Sequence, residues 1–251
     1  GYLLDGQKHH ITNADFADYM ITVARSPSGF SNVLVPRDAD GLTITEMPEP
    51  MGNLGSHHCF LEFDDCTVPA ENVLGTEGEG LRATVEGLQA GRIYIAANAW
   101  GIAERCFEAS IDWAKRRVTY GEPIAERRNI RESLAEMARD VWTLRLAVLD
   151  AARKVDDRGT AGVEADLVKL LARDVTQRVT DEAMLVHGGL GYSREKPVQR
   201  FYRDARLTWI EEGTPSIQKT SAARELLSGT FPYDVDAVAR EHYDLEDYDP
   251  E

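Results

Sequence analysis

A change of hydrophobic period near residue 78 constrains the fold of this chain more than any other feature. Ahead of it, alternating apolar residues bounded by turn residues predict strands, for example at 19–24, 30–35 and 58–63. Beyond the glycine cluster at 75–80, apolar residues recur every three or four positions, which is the period of an amphipathic helix. We therefore expect an α+β chain in which a small β domain precedes an antiparallel α-helical bundle.

Four helices are predicted after the change of period, each as an apolar stripe bounded by glycine or capping residues. They run from Leu81 to about Val118, from Ile130 to Val155, from Val163 to His187 and from Pro215 to Gly229. The expected domains are a β domain at 1–78, a helical bundle at 79–229 and an acidic tail at 230–251. We expect the tail to be disordered because its charge leaves little apolar surface to bury.

The charge balance excludes two classes of partner. The chain has 43 acidic and 28 basic side chains and a formal net charge of −15. Nucleic acid and anionic membrane surfaces both require a basic patch, so neither is an expected partner. No run approaches the roughly 18 apolar residues of a membrane-spanning helix.

Cysteine and histidine spacing gives no sign of a metal or of a disulfide framework. The three cysteines, Cys59, Cys66 and Cys106, are odd in number and lack a C-x-x-C pair. The adjacent histidines at 9–10 and 57–58 fall in predicted strands, where neighbouring side chains face opposite sides. We predict a cytoplasmic location and no metal site.

A carboxylate stands in a tight bend directly before the fourth predicted helix. Gly213 frees the backbone, Thr214 is a good N-cap, and Pro215 suits the first helical position. Glu212 therefore lies close to a helix N-terminus, where the macrodipole favours its ionised form while burial opposes it. From these residues alone, a pair of solvated carboxylates, Glu211 and Glu212, is favoured over a catalytic base, because exposed charge is the usual case.

The motifs around this bend resemble those of the acyl-CoA dehydrogenase family. The sequence R-D-A-R at 203–206, with I-E-E-G-T at 210–214 and I-Q-K at 217–219, is similar to the family signature R-D-A-R/K-x-x-x-I-Y-E-G-T-x-x-I-Q-R. In that family the glutamate before Gly-Thr removes the α-proton of an acyl-CoA thioester while a β-hydride passes to flavin N5. The resemblance implies that Glu212 is the base, that Thr214 helps to orient the flavin, and that Gly213 lies beside the substrate. Glu211 stands where an aromatic residue usually contacts the substrate.

Two further motifs resemble contacts that the family makes with FAD of a neighbouring subunit. The loop G-G-L-G-Y at 188–192 is similar to the family's G-G-x-G-Y/F, which makes Gly188 and Gly189 cofactor-binding residues; alone, it would be a helix C-cap and turn. Arg117 opens R-V-T-Y-G-E-P-I, similar to R-x-x-F-G-x-P-I, whose arginine reaches the FAD pyrophosphate. Alone, it would be an exposed arginine at a helix C-terminus. The sequence departs from the family at 127–131, where R-R-N-I-R replaces F-Q-x-V-Q.

The start of the chain and the first long helix extend the resemblance. G-Y-L-L-D-G-Q-K-H-H-I-T-N at 1–13 is similar to the strand G-Y-x-L-N-G-x-K-x-W-I-T-N, in which the tryptophan and the threonine lie beside the flavin. His10 replaces that tryptophan and Thr12 is retained, so both are assigned to the cofactor. Some members carry the base one residue before the arginine that matches Arg92, but that position is Gly91 here. Arg92 is assigned with the substrate residues, and Glu212 remains the base.

The resemblance covers residues 1 to about 227 and implies a specific architecture and activity. It implies a small antiparallel β-barrel before the helical bundle, without the family's N-terminal helical domain. The implied reaction is FAD-dependent α,β-dehydrogenation of an acyl-CoA in fatty acid metabolism. The implied partners are an electron acceptor such as an electron-transfer flavoprotein and further copies of the chain, as a dimer or homotetramer.

Two rival functions remain open on the sequence. A flavin-dependent oxidase or monooxygenase could use the same fold, although such activity usually accompanies loss of the base. A non-catalytic descendant of the family, acting in binding or assembly, is compatible with the altered flavin contacts.

Overall fold

The structure is a computed structural model that describes residues 1–229. The predicted acidic tail at 230–251 lies outside the described residues. Within residues 1–229, eight strands and six α-helices follow one another, with the first six strands preceding the first α-helix. The strands are β1 Tyr2–Thr12, β2 Tyr19–Ser26, β3 Gly29–Pro36, β4 Leu42–Glu46, β5 His58–Val68, β6 Val73–Leu74, β7 Val118–Thr119 and β8 Glu122–Pro123.

The first six strands form two antiparallel sheets that share one apolar core. Their orders are β1-β5-β4 and β2-β3-β6, and β7 and β8 form a separate two-stranded ribbon. Val33 and Val35 from β3 pack in the same buried cluster as Leu61 and Phe63 from β5. The predicted α+β class with antiparallel sheets is confirmed. Hydrogen bonding groups the described strands as two three-stranded sheets and does not close them into one barrel.

Three long helices form the core of the second part of the chain. The helices are α1 Gly80–Arg116, α2 Arg128–Arg158, α3 Val163–His187, α4 Gly189–Tyr192, α5 Val198–Ala205 and α6 Pro215–Leu227. Small residues on α1, including Ala96, Ala99 and Ala103, are fully buried in the cluster that α2 and α3 complete. Small side chains let helix backbones approach closely, so α1 and α3 lie in extensive contact. The predicted helical bundle after the strands is confirmed.

A contact between the two parts fixes the approach to the bend at 210–214. A Cβ added to Gly52 would lie 2.5 Å from the carbonyl carbon of Arg203, so only glycine permits this close packing. The Asn53 backbone N–H donates to Asp204 Oδ1 at 2.7 Å, and its side-chain amide donates to the Asp204 carbonyl at 3.2 Å. The loop before β5 therefore anchors the end of α5, from which the bend begins. The division at residue 78 stays our proposed boundary.

None of the helices between residues 1 and 229 combines the length and the apolar character needed to span a bilayer.

Candidate active site

The bend before α6 adopts an unusual backbone conformation. After α5, a 3₁₀ turn at Arg206–Trp209 leads into it, and Glu212 and Gly213 follow with φ of 51° and 100°. A left-handed φ is uncommon for a residue with a Cβ and persists only where the surroundings hold it. Thr214 occupies the N-cap position as predicted, but in the described structure its side chain makes no capping hydrogen bond and lies 3.2 Å from the Ser216 hydroxyl.

The carboxylate of Glu212 lies directly over a glycine of α1. A Cβ added to Gly91 would lie 3.2 Å from Glu212 Cδ and from Oε2, and 3.5 Å from Oε1. Oε2 is buried and has no hydrogen-bond partner among residues 1–229. A buried carboxylate oxygen without a donor keeps its lone pairs available to accept a proton. The geometry therefore suits a base facing a substrate.

Three successive carbonyls of the bend accept hydrogen bonds from buried side chains. Lys169 Nζ, on α3, donates to the carbonyls of Glu211 and Gly213, the latter at 2.9 Å. Arg92 Nε donates to the Glu212 carbonyl at 3.3 Å, and Gln218 Nε2 donates to the Gly213 carbonyl at 3.1 Å. Side chains of α1, α3 and α6 thus hold the main chain on both sides of Glu212.

Buried side chains of opposite charge lie close together around the bend. Arg92 and Asp166 form an ion pair at 2.8 Å, with 7% and 1% of their side chains exposed. Burial raises the pKa of Asp166 and lowers the pKa of Lys169 to about 8. Burial also raises the pKa of Glu211; the charge of Glu212 adds to this shift, and the Lys169 ammonium opposes it. Arg92, assigned to the substrate on sequence, is engaged here with Asp166 and the bend.

Lys169, Asp166 and Gln218 were not among the site residues predicted from the sequence. The position of Lys169 in the sequence could have identified it. It falls at helical spacing within the buried stripe that holds Ala165 and Ala172, where an ionisable side chain is rarely placed without a buried partner.

Arg117 and the Gly188-Gly189 pair line a cleft of about 520 Å³ that is separate from the bend. Trp113 and His187 also line it, with their rings stacked at 5.3 Å between centroids. Arg117 and both glycines are exposed, which suits contact with a group brought by another subunit.

Arg127 lies in the segment that departs from the family pattern, and its side chain contacts other residues of this chain. Its guanidinium donates to the carbonyl and the hydroxyl of Thr119 and lies 5.2 Å from the Tyr120 ring centroid. Both partners belong to the β7–β8 ribbon region. The charge that replaces the usual aromatic residue therefore braces this ribbon beside the cleft.

Thr12 and His10 lie at the exposed end of β1. Thr12 Oγ1 is 3.1 Å from His58 Nδ1, and the His10 ring lies 6.0 Å from the His58 ring. An irregularity in the β1–β5 register gives His10 a φ of 56°. Among the described residues, no group of three or more His, Cys, Asp or Glu side chains could hold a metal ion.

Two family models match this chain in sequence order. The acyl-CoA dehydrogenase middle domain matches residues 1–66, and the acyl-CoA dehydrogenase C-terminal domain matches residues 78–227. An acyl-CoA dehydrogenase of Bacillus subtilis is 40% identical over 235 residues, which cover 91% of this chain and 62% of that protein.

Solved structures show the same similarity. Butyryl-CoA dehydrogenase from Megasphaera elsdenii superposes with a TM-score of 0.86 at 37% identity, over 90% of this chain and 60% of that one. An acyl-CoA dehydrogenase from Bacillus anthracis in complex with FAD also gives 0.86, at 30% identity, over 92% of this chain and 43% of that one. The chain therefore spans less than two thirds of the length of these relatives.

Proposed function

Since this chain belongs to the acyl-CoA dehydrogenase family, we propose that it contributes to FAD-dependent α,β-dehydrogenation of an acyl-CoA thioester. The observation that carries the proposal is the Glu212 carboxylate, which lies over Gly91 with one buried oxygen free of donors among the described residues. Its backbone is fixed by Lys169 and Arg92. A base held in this way loses little freedom when it meets the substrate.

Glu212 accepts the α-proton of the thioester in the proposed reaction. The electron pair of the broken C–H bond stays on the substrate as enolate character at the carbonyl oxygen. The backbone N–H of Glu212 is the proposed donor to that oxygen and stabilises its developing charge. When bound, FAD would supply the acceptor for the β-hydride, so that the substrate would lose one proton to Glu212 and one hydride to the cofactor as the C=C bond forms.

The residues present suit FAD. Thr12, Thr214 and His10 are exposed polar side chains proposed to lie at the flavin, and the Arg117 guanidinium offers a bidentate donor to pyrophosphate. Because Arg117, Gly188 and Gly189 share a cleft of their own, we propose that they serve the FAD of a second copy in a dimer or homotetramer. An electron-transfer flavoprotein as acceptor and a cytoplasmic location are proposed with this function.

The test is a titration of the full-length protein with acyl-CoAs. The purified protein is expected to show a flavin absorption band, and short-, medium- and branched-chain acyl-CoAs are added without oxygen. At least one of them should bleach the band. A flavin that no acyl-CoA reduces would count against dehydrogenation. A protein purified without flavin would favour the non-catalytic alternative.

Gly91→Ala is expected to separate activity from stability. The added Cβ displaces the Glu212 carboxylate by a few tenths of an ångström, so the rate of flavin reduction should fall by about tenfold. Alanine also favours a helix interior over glycine by roughly 1 kcal/mol, so the melting temperature should not fall with it. Gly87→Ala, on the same helix with nothing within 4 Å, is the matched control and should leave the rate unchanged. Equal rates in both variants would show that the carboxylate does not work from this position.

A further inference from the structure

Among residues 1–229, Lys169 is the largest fully buried side chain, and it is not one of the residues assigned to catalysis, substrate or cofactor. Only 1% of the residue is exposed, and its neighbours along α3, including Val168 and Ala172, are buried apolar residues. An ammonium in such surroundings is retained only where acceptors replace its water. Here the acceptors are the carbonyls of Glu211 and Gly213, on either side of the base.

The hydrogen bonds of Lys169 constrain the peptide units that determine where the Glu212 side chain points. With φ of 51° at Glu212 and 100° at Gly213, the chain turns through two successive left-handed residues. A residue with a Cβ adopts that conformation at an energetic cost, so contacts from its surroundings help to hold it. A compact ammonium with three donors can reach two carbonyls that face one point, and this geometry suits lysine better than the planar fork of arginine.

We propose that Lys169 is a positioning residue for the catalytic base, and that its two carbonyl contacts fix the left-handed turn that lays the Glu212 carboxylate over Gly91. This inference rests on the proposed function for its kinetic consequences. Lys169 is buried and contacts the main chain of the bend, so its loss should lower kcat and leave KM nearly unchanged.

The protonation state of Lys169 gives a second test of this role, through the pH dependence of flavin reduction. The charged groups that face it are Arg92 on α1, Asp166 on α3, and Glu211 and Glu212 in the bend; α6 contributes the neutral Gln218 and, near Asp166, Glu225. Because burial places the pKa of Lys169 at about 8, the ammonium is present below that pH and lost above it. The neutral amine that remains above this pH is a weaker donor to the two carbonyls, so the rate of flavin reduction should fall as the pH rises through about 8.

The experiment compares Lys169→Met with the wild-type holoenzyme. Methionine keeps the unbranched shape and removes the donors, so kcat should fall about 100-fold, as expected for a base displaced by about 1 Å. The decline near pH 8 should disappear in Lys169→Met. Lys219→Met, an exposed lysine on α6, is the matched control and should keep both the wild-type kcat and the decline.

Hydrogen–deuterium exchange gives a readout that needs no turnover. In Lys169→Met, amides at 210–214 should exchange faster, while those of α1 and α2 remain as protected as in the wild type.

If Lys169→Met reduces flavin at the wild-type rate, or if the active wild type shows no decline near pH 8, the positioning role is wrong. If no acyl-CoA reduces the wild-type flavin but the local exchange still rises, the proposed function fails and the hold on the bend stands. If Lys169→Met does not fold, the pH profile of flavin reduction by the wild type tests the positioning role instead.

Discussion

Glu212→Gln is expected to slow flavin reduction by an acyl-CoA roughly 10³-fold, the range attributed to a positioned general base. The amide has nearly the size of the carboxylate, so the contact with Gly91 and the left-handed turn should both survive. What is lost is the ability to accept the α-proton. The measurement is anaerobic stopped-flow absorbance at the flavin band, with FAD content and melting temperature recorded for each protein.

The same substitution elsewhere on the chain provides the control. Glu86 is an exposed carboxylate on α1 that pairs with Arg82, and Glu86→Gln should reduce flavin at the wild-type rate. Glu211→Gln tests the neighbouring carboxylate directly. Should Glu211→Gln lose more activity than Glu212→Gln, the base would have been assigned to the wrong residue.

Arg92→Met is expected to destabilise the fold by about 3–5 kcal/mol, the usual cost of leaving one partner of a buried ion pair alone. Asp166 would lose the guanidinium at 2.8 Å while only 1% of its side chain is exposed, and the Glu212 carbonyl would lose a donor. Equilibrium unfolding in urea measures the change as a shift of the midpoint at constant slope.

A double variant and an exposed pair make this prediction specific. Arg92→Met with Asp166→Asn removes the stranded charge and should recover part of the loss, which a double-mutant cycle would quantify. The Arg82–Glu86 pair has a similar separation, 2.9 Å, but 86% and 61% of its side chains are exposed. Arg82→Met should therefore cost less than about 1 kcal/mol. Equal costs at positions 82 and 92 would mean that burial does not govern the Arg92 pair.

Local patterns predicted the elements of this fold well. The stripe from 163 to 187 coincides with α3, and the first long helix begins and ends within two residues of its predicted limits. The Gly213-Thr214-Pro215 sequence placed the start of α6 correctly because capping and the proline at the first helical position are local properties. The short elements α4, α5 and β6 to β8 were not predicted, since a few residues carry too little periodicity.

The sequence by itself determined the order of the elements, the family resemblance and the candidate base. It did so because hydrophobic period, caps and motif order lie along the chain. Only the tertiary structure decided what holds that base: Arg92 and Lys169 reach the bend across 120 and 42 residues of sequence, and Asn53 reaches Asp204 across 151. Such contacts depend on how helices and sheets pack, and no local pattern encodes the point at which two buried cations meet three carbonyls.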